Sequence, residues 1–315
     1  VVSAGRPPQQ LKNKKNCLRI MTGAVLPKGC DCVVPVEWVH LNDEIAFLKD
    51  GAQLKSGQFI RYKGADAKKS DVLLKKGMVL HPAHIGILAS LGKSMVKVYK
   101  RPRVAVISTG DELVDIHKPI KDYQTRLSNA YAVQSLLVRS QLAVVDMFHL
   151  PDNKKILKTK MAALLKSYDF CVLSGGVSMG DFDFVPEVLK ELKVKCLFSS
   201  VVQKPGKPFW FGTAASGKVV FALPGNPAST LICAYRYLVP FLYKCMGIQL
   251  KKQQIAVKNL PEIKSDLTQF LLVKDGNLVP SGGSGDFSAL AKADGFIEYE
   301  TYKQQAVWPY FSWRL

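Results

Sequence analysis

The chain has 315 residues, long enough for a sizeable core and roughly two or three domains. Its 48% apolar and 22% charged content is that of a soluble globular protein, and the longest apolar run, Leu231 to Leu242, is broken by Arg236 and Pro240, which excludes a membrane span. Lys and Arg number 44 against 25 Asp and Glu, which favours anionic partners, but the cations are scattered in pairs such as Lys68-Lys69 and Lys154-Lys155, with no basic helix or zinc module, so nucleic acid is not an expected partner.

From residue 1 to 61 the pattern is short β-like runs, Cys32–Val34, Glu37–Val39 and Ile45–Leu48, with turns at Asn42-Asp43 and Asp50-Gly51, and it reads as a small β-rich domain. Residues 62–100 form a connector with a short helix near Pro82 to Ser90 and a strand at Met95 to Tyr99. From 101 to 247 strand and helix alternate. Ser128 and Asp152 are expected to cap helices, and Phe184 to Lys193 presents Val185, Val188, Leu189 and Leu192 on one helical face. Such alternation implies right-handed crossovers and a mostly parallel sheet, hence an α/β, three-layer central domain. From 248 to 315 short strands return, with turns at Asp275-Gly276-Asn277 and Ser281 to Gly285, as a second small β domain, barrel-like. Seven scattered Cys without a CxxC pair, and five His without metal-ligand spacing, argue against structural zinc and for free thiols. No charged-then-apolar leader follows Val1, so a cytoplasmic location is expected.

Chemistry concentrates where apolar strands end. Phe170 to Leu173 run into SGGVSMGDFD, Ser174 to Asp183, whose Gly175 and Gly176 allow the backbone to approach a ligand and whose Asp181 and Asp183 can hold a hard cation. Taken alone, a tight strand-to-helix turn explains the glycines equally well. Lys204 and Lys207 flank Gly206 in KPGKP, two cations three positions apart that would also serve as plain surface charges. LPGNP, Leu223 to Pro227, ends another apolar strand, with Asn226 suited to an N-cap and Pro227 to the first helical position, so this helix start can face an anion. Val104 to Ile107 run into STGDEL, placing Asp111 and Glu112 just past a strand end. Loops at the carboxyl ends of an open α/β sheet share one crevice, where ligands bind.

In this order the motifs resemble the molybdopterin molybdenumtransferase family of the MoeA type. The series is RIMTGAVLPKGCDCVVPVE at Arg19 to Glu37, STGDEL, the Leu127-Ser128-Asn129 helix start, SGGVSMGDFD, KPGKPFWFG, LPGNPAS and GSGDFSALAKADGFI at Gly283 to Ile297, which spans almost the whole chain. The resemblance implies that adenylylated molybdopterin and molybdate yield the molybdenum cofactor and AMP, assisted by a divalent cation such as Mg²⁺. It implies that Lys204 and Lys207 hold phosphate or molybdate oxygens, that Asp181, Asp183 and Glu112 bind the metal, and that Ser178 and Thr22 contribute contacts. Gly175, Gly176, Gly206, Pro224, Asn226, Pro227 and Ser284 fall in the same motifs as substrate-binding positions. A homodimer with clefts shared between subunits is implied, as is a partner adenylyltransferase that supplies the substrate.

The sequence also departs from the family pattern. A Ser-Ala-Met-Asp-Gly-Tyr-like motif expected ahead of the matched region is not in this sequence, Lys63-Gly64 is followed by Ala65-Asp66 where Glu-Asp is usual, Ser70 replaces a usual Gly, and Leu271 stands where a basic residue is expected. These changes motivate a second reading, a molybdopterin-binding scaffold that has lost the reaction. A molybdopterin adenylyltransferase would share the α/β domain but not the β segments on either side of it.

Overall fold

The computed structural model describes residues 1–176, 183–300, 302–303 and 305–314. They form two compact units, Val1–Lys76 and Gly77–Leu315.

In the first unit, a 3-10 turn at Val36–Trp38 leads into the hairpin of β1 (Val39–Asn42) and β2 (Ile45–Leu48), antiparallel with Val39 opposite Leu48. Its turn needs a left-handed residue, which Asp43 supplies at φ 50°. Isolated parallel bridges, Val2 to Ile20 and Gln10 to Lys28, tie the remaining loops. The β content is thus lower than the sequence suggests: Cys32–Val34 is not a strand and Glu37-Trp38 is helical.

The second unit opens with α1 (Pro82–Ser90), as expected, but Met95–Tyr99 is irregular rather than a strand. There follow β3 (Arg103–Thr109), β4 (Leu113–Val114), β5 (Thr125–Arg126), α2 (Ser128–Arg139), β6 (Val144–Leu150), α3 (Lys154–Ser167), β7 (Phe170–Ser174), α4 (Val185–Glu191), β8 (Val194–Ser200), β9 (Gln203–Lys204), β10 (Pro208–Ala214) and β11 (Val219–Leu223). A long helix then runs as α5 (Pro227–Cys233), a π-helical segment (Ala234–Leu238) and α6 (Val239–Cys245). The tail adds β12 (Gln253–Ile255), β13 (Thr268–Lys274), β14 (Asn277–Leu278), α7 (Phe287–Lys292), β15 (Gly295–Tyr299) and β16 (Trp308–Ser312).

The central sheet has the order β6-β3-β7-β11-β10-β8. Its first four strands are parallel, whereas β10 and β8 pair antiparallel, so the sheet is mixed at one edge. The apolar runs form buried strands because successive side chains point to opposite faces and both faces are covered. Val104, Val106, Phe170, Val172 and Phe221 enter one core with α2, α5 and α6, while Ala105, Ile107, Cys171, Leu173 and Val220 enter another with α3 and α4. That alternation makes the layers helix, sheet, helix.

The tail strands run β12-β16-β15-β13-β14, with β9 paired to the other end of the β13 edge. Among the described residues the ladder does not close from β12 back to β14, so it is an open sheet rather than the expected barrel. Along β13, Phe270 and Leu272 join the larger central core and Val273 joins a smaller one with Ile297 and Trp308. No helix among the described residues is long and apolar enough to cross a membrane.

Candidate functional site

The four parallel strands β6, β3, β7 and β11 deliver their carboxyl ends to one edge of the central sheet. That edge and the tail sheet enclose a cavity of ≈ 1080 Å³. Thr109 reaches it at the end of β3 and Glu112 after it, Gly175, Gly176 and Asp183 after β7, and Pro224 and Asn226 after β11. Lys204, Gly206 and Lys207 enter from the turn after β9, and Ser284 and Leu271 from the tail. Pro227 occupies the first turn of α5, between the lining residues Asn226 and Ala228. Thr22 lies in an exposed turn of the first unit. Ser178 and Asp181 lie outside the described residues.

Side-chain and backbone bonds hold these loops together. Asn129 Nδ2 donates to Ser174 Oγ at 3.0 Å and to Gly225 O at 2.6 Å, joining the start of α2 to the ends of β7 and β11. Asn226 does not cap α5 with its side chain. Its Nδ2 donates to Ser284 Oγ at 2.8 Å, and Ala228 N–H donates to Ser284 O at 2.9 Å, so the helix start is tied to the tail loop and one of its first N–H groups is already used. Thr230 Oγ1 donates to Pro224 O at 2.5 Å.

The glycines are sterically required here. A Cβ on Gly176, at φ 68°, would lie 2.7 Å from Thr109 Oγ1 and 2.8 Å from Val185 Cγ2. A Cβ on Gly206, at φ 91°, would lie 2.7 Å from Cys233 Sγ and 2.9 Å from Gln203 Nε2. Both turns are therefore pressed against buried neighbours, which fixes the backbone that faces the cavity.

Asp152 also lines the cavity, although the sequence pattern suggested a helix cap. The cap of α3 is Asn153, whose Oδ1 accepts from Ile156 N at 3.0 Å, while Asp152 N donates to Asp111 Oδ1 at 3.1 Å. Burial foremost, and then the charges of Asp111, Glu112 and Asp183, hold the Asp152 carboxyl above the usual carboxylate range, against a backbone hydrogen bond from Asp111 that lowers it. The signal was available, because Asp152 follows β6 as Glu112 follows β3. Thr109 was likewise not singled out for the site: its Oγ1 is buried beside the cavity with no hydrogen-bond partner among the described residues, as is Asn129 Oδ1 behind the strand ends, and of the two only Thr109 lines the cavity.

Glu112, Asp152 and Asp183 offer only oxygen donors, and Asp152 records their mutual repulsion. Among the described residues no group of three His, Cys, Asp or Glu side chains comes together that could hold a metal ion. The exposed Lys204 and Lys207 line the same cavity and supply positive charge, which suits an anion.

Comparison with known proteins gives the family. Residues 1–92 match the MoeA N-terminal region (domain I and II) and residues 105–244 the probable molybdopterin binding domain. A molybdopterin molybdenumtransferase of Synechocystis is 35% identical over 328 residues, covering 99% of this chain and 81% of that protein. Another, from Haemophilus influenzae, is 36% identical over 310 residues, covering 94% and 76%. The crystal structure of a molybdopterin biosynthesis MoeA protein from Pyrococcus horikoshii matches all of this chain and 80% of its own, with a TM-score of 0.78 at 28% identity. With the motifs, the strand-end cavity and these relatives in agreement, the chain belongs to the molybdopterin molybdenumtransferase family, a family of transferases.

Proposed function

We propose that this protein acts in molybdenum cofactor biosynthesis and inserts molybdenum, converting adenylylated molybdopterin and molybdate into the molybdenum cofactor and AMP. The observation that carries the reading is the meeting of Lys204, Lys207, Glu112, Asp152 and Asp183 in one cavity of a chain that belongs to this family. Lys204 and Lys207 bind the oxyanion and the phosphate through charge-assisted hydrogen bonds. Gly175 and Gly176 line the cavity with backbone, and Thr109 offers its unpaired hydroxyl to the substrate. Asp183 and Glu112, with Asp152 and Asp181, would hold Mg²⁺. The chemistry Mg²⁺ supplies when bound is neutralisation of charge on the phosphoanhydride, which eases departure of AMP.

Thr22 keeps the substrate-contact role that the family resemblance implies, and Pro227 and Ser284 position the α5 loop. A homodimer fits the exposed apolar residues of the hairpin, Leu41, Ile45, Phe47 and Leu48. The partner that hands over the adenylylated substrate is an adenylyltransferase, and the setting is the cytoplasm.

Leu271 lines the cavity where a basic residue is expected, and it favours the second reading, a binding-only relative. Single-turnover conversion with Mg²⁺, following AMP release and cofactor formation, separates the two. The proposal expects turnover by the native chain and a loss of at least about a hundredfold in Asp183→Asn and in Lys207→Ala. Tight substrate binding without turnover would establish the scaffold instead.

A further inference from the structure

The lysine turn is braced by a buried polar chain. Gln203 is 1% exposed and immediately precedes Lys204. A buried amide persists only where its donors and acceptor are satisfied, and this one spends them on the turn. Its Nε2 donates to Gly206 O at 3.0 Å and to Pro205 O at 3.4 Å, while its Oε1 accepts from the Tyr237 hydroxyl. The backbone at the start of the turn is pinned separately, with Gln203 and Lys204 paired to Thr268 and Gln269 of β13.

Tyr237 comes from the π-helical segment that separates α5 from α6. A π turn inserts a residue and redirects the side chains that follow, and such turns recur at functional sites. The Tyr237 ring stacks on buried Phe209 at 4.9 Å and lies under the Arg236 guanidinium at 5.1 Å, so its hydroxyl has a set direction. Burial pushes the phenol up to about 12, which keeps it a donor at neutral pH. One long helix thus contributes Asn226, Ala228 and Ser229 to the cavity at its start and braces the opposite loop at its bulge.

We propose that Gln203 and Tyr237 are positioning residues whose buried hydrogen-bond chain locks the Lys204–Lys207 turn, so that both lysines meet one oxyanion together. The proposal rests on the anion-binding role given to these lysines above.

Hydrogen–deuterium exchange over residues 203–208, paired with calorimetric titration of molybdate, tests it in the native chain, Tyr237→Phe, Gln203→Leu and Tyr235→Phe. Tyr235 is the control, since it sits on the same π segment, is itself buried, and donates instead to Trp313 O at 3.2 Å. The expected result is faster exchange in the turn and molybdate binding weakened about fivefold in Tyr237→Phe and Gln203→Leu, with Tyr235→Phe like the native chain. Unchanged exchange in Tyr237→Phe overturns the proposal, as does an equal effect in Tyr235→Phe, which would mean general loosening. Tyr237→Phe keeps the ring packing and decides the matter if Gln203→Leu fails to fold. Faster exchange in a protein whose native form does not bind molybdate would support the brace and refute the anion reading on which its purpose rests.

Discussion

A negative charge on Asp152 works against folding, because burial and then the neighbouring Asp111, Glu112 and Asp183 disfavour the ionised form. With its pKa raised in the fold, the native state binds more protons than the unfolded chain, so stability falls as pH rises from the ordinary carboxylate range of about 3.9 through the folded value. Asp152→Asn should therefore melt higher than the native protein at pH 7, with the difference vanishing below about pH 4, while turnover drops more than about tenfold. A lower melting temperature at pH 7 would show that the carboxylate is stabilised instead. Gly206 faces a different constraint, since any Cβ would press on Cys233 and Gln203. Gly206→Ala is expected to cost about 1–3 kcal/mol in urea unfolding and to weaken molybdate binding in the same variant. Both residues show the limit of reading one position at a time: glycine in KPGKP reads as a turn former, but the atoms that forbid a side chain come from 3 and 27 positions away.

Helix α7 starts from a cap that also shapes the cavity rim. Asp286 accepts from Ala289 N at 3.0 Å, from Ser288 Oγ at 2.7 Å and from Gly282 N at 2.9 Å, and these bonds, Gly282 first, lower its carboxyl to about 2. A depressed pKa contributes stability above the unfolded carboxylate value, lost as pH falls through about 2. Asp286→Ala should flatten the acid limb of the stability profile between about pH 4 and pH 2, measured by denaturant unfolding across pH, and should loosen the loop that presents Ser284. Strongly periodic elements were legible at this scale. The face Val185, Val188 and Leu189 of α4 is buried as its spacing implies, and the apolar runs of β3, β7 and β11 are strands. Elements without that pattern were not: Met95–Tyr99 alternates suitably for a strand but finds no pairing partner among the described residues. Ser128 is the first residue of α2 rather than its cap, which falls on Leu127 with no side-chain capping bond.

For the whole molecule, a formal charge of +19 and two lysines at the cavity should draw in anionic substrate. Association is then expected to slow several-fold as salt rises from about 50 to 300 mM, measured by stopped flow, because the Debye length shrinks past the size of the cleft. The hairpin of the first unit bears on self-association. A two-stranded ribbon is marginal in water, and here Ile45 and Phe47 are 60% and 48% exposed. Sedimentation equilibrium is expected to show a dimer that Phe47→Glu converts toward monomer, and a native monomer would refute the shared-cleft reading.

The sequence by itself determined the class of the central domain, the strand-end loops and several of the residues that line the cavity, Glu112, Asp183, Lys204 and Lys207 among them. Those features follow from short-range rules: period-two alternation for buried strands, glycine where the backbone must bend tightly, proline at a helix start. Only the tertiary structure decided that Asp152 joins Glu112 and Asp183, that Asn226 bonds Ser284 instead of capping α5, and that Gln203 and Tyr237 brace the lysine turn. Each of these depends on groups brought together from 30 to 70 positions apart by strand order and a helical bulge, and no local pattern encodes that proximity.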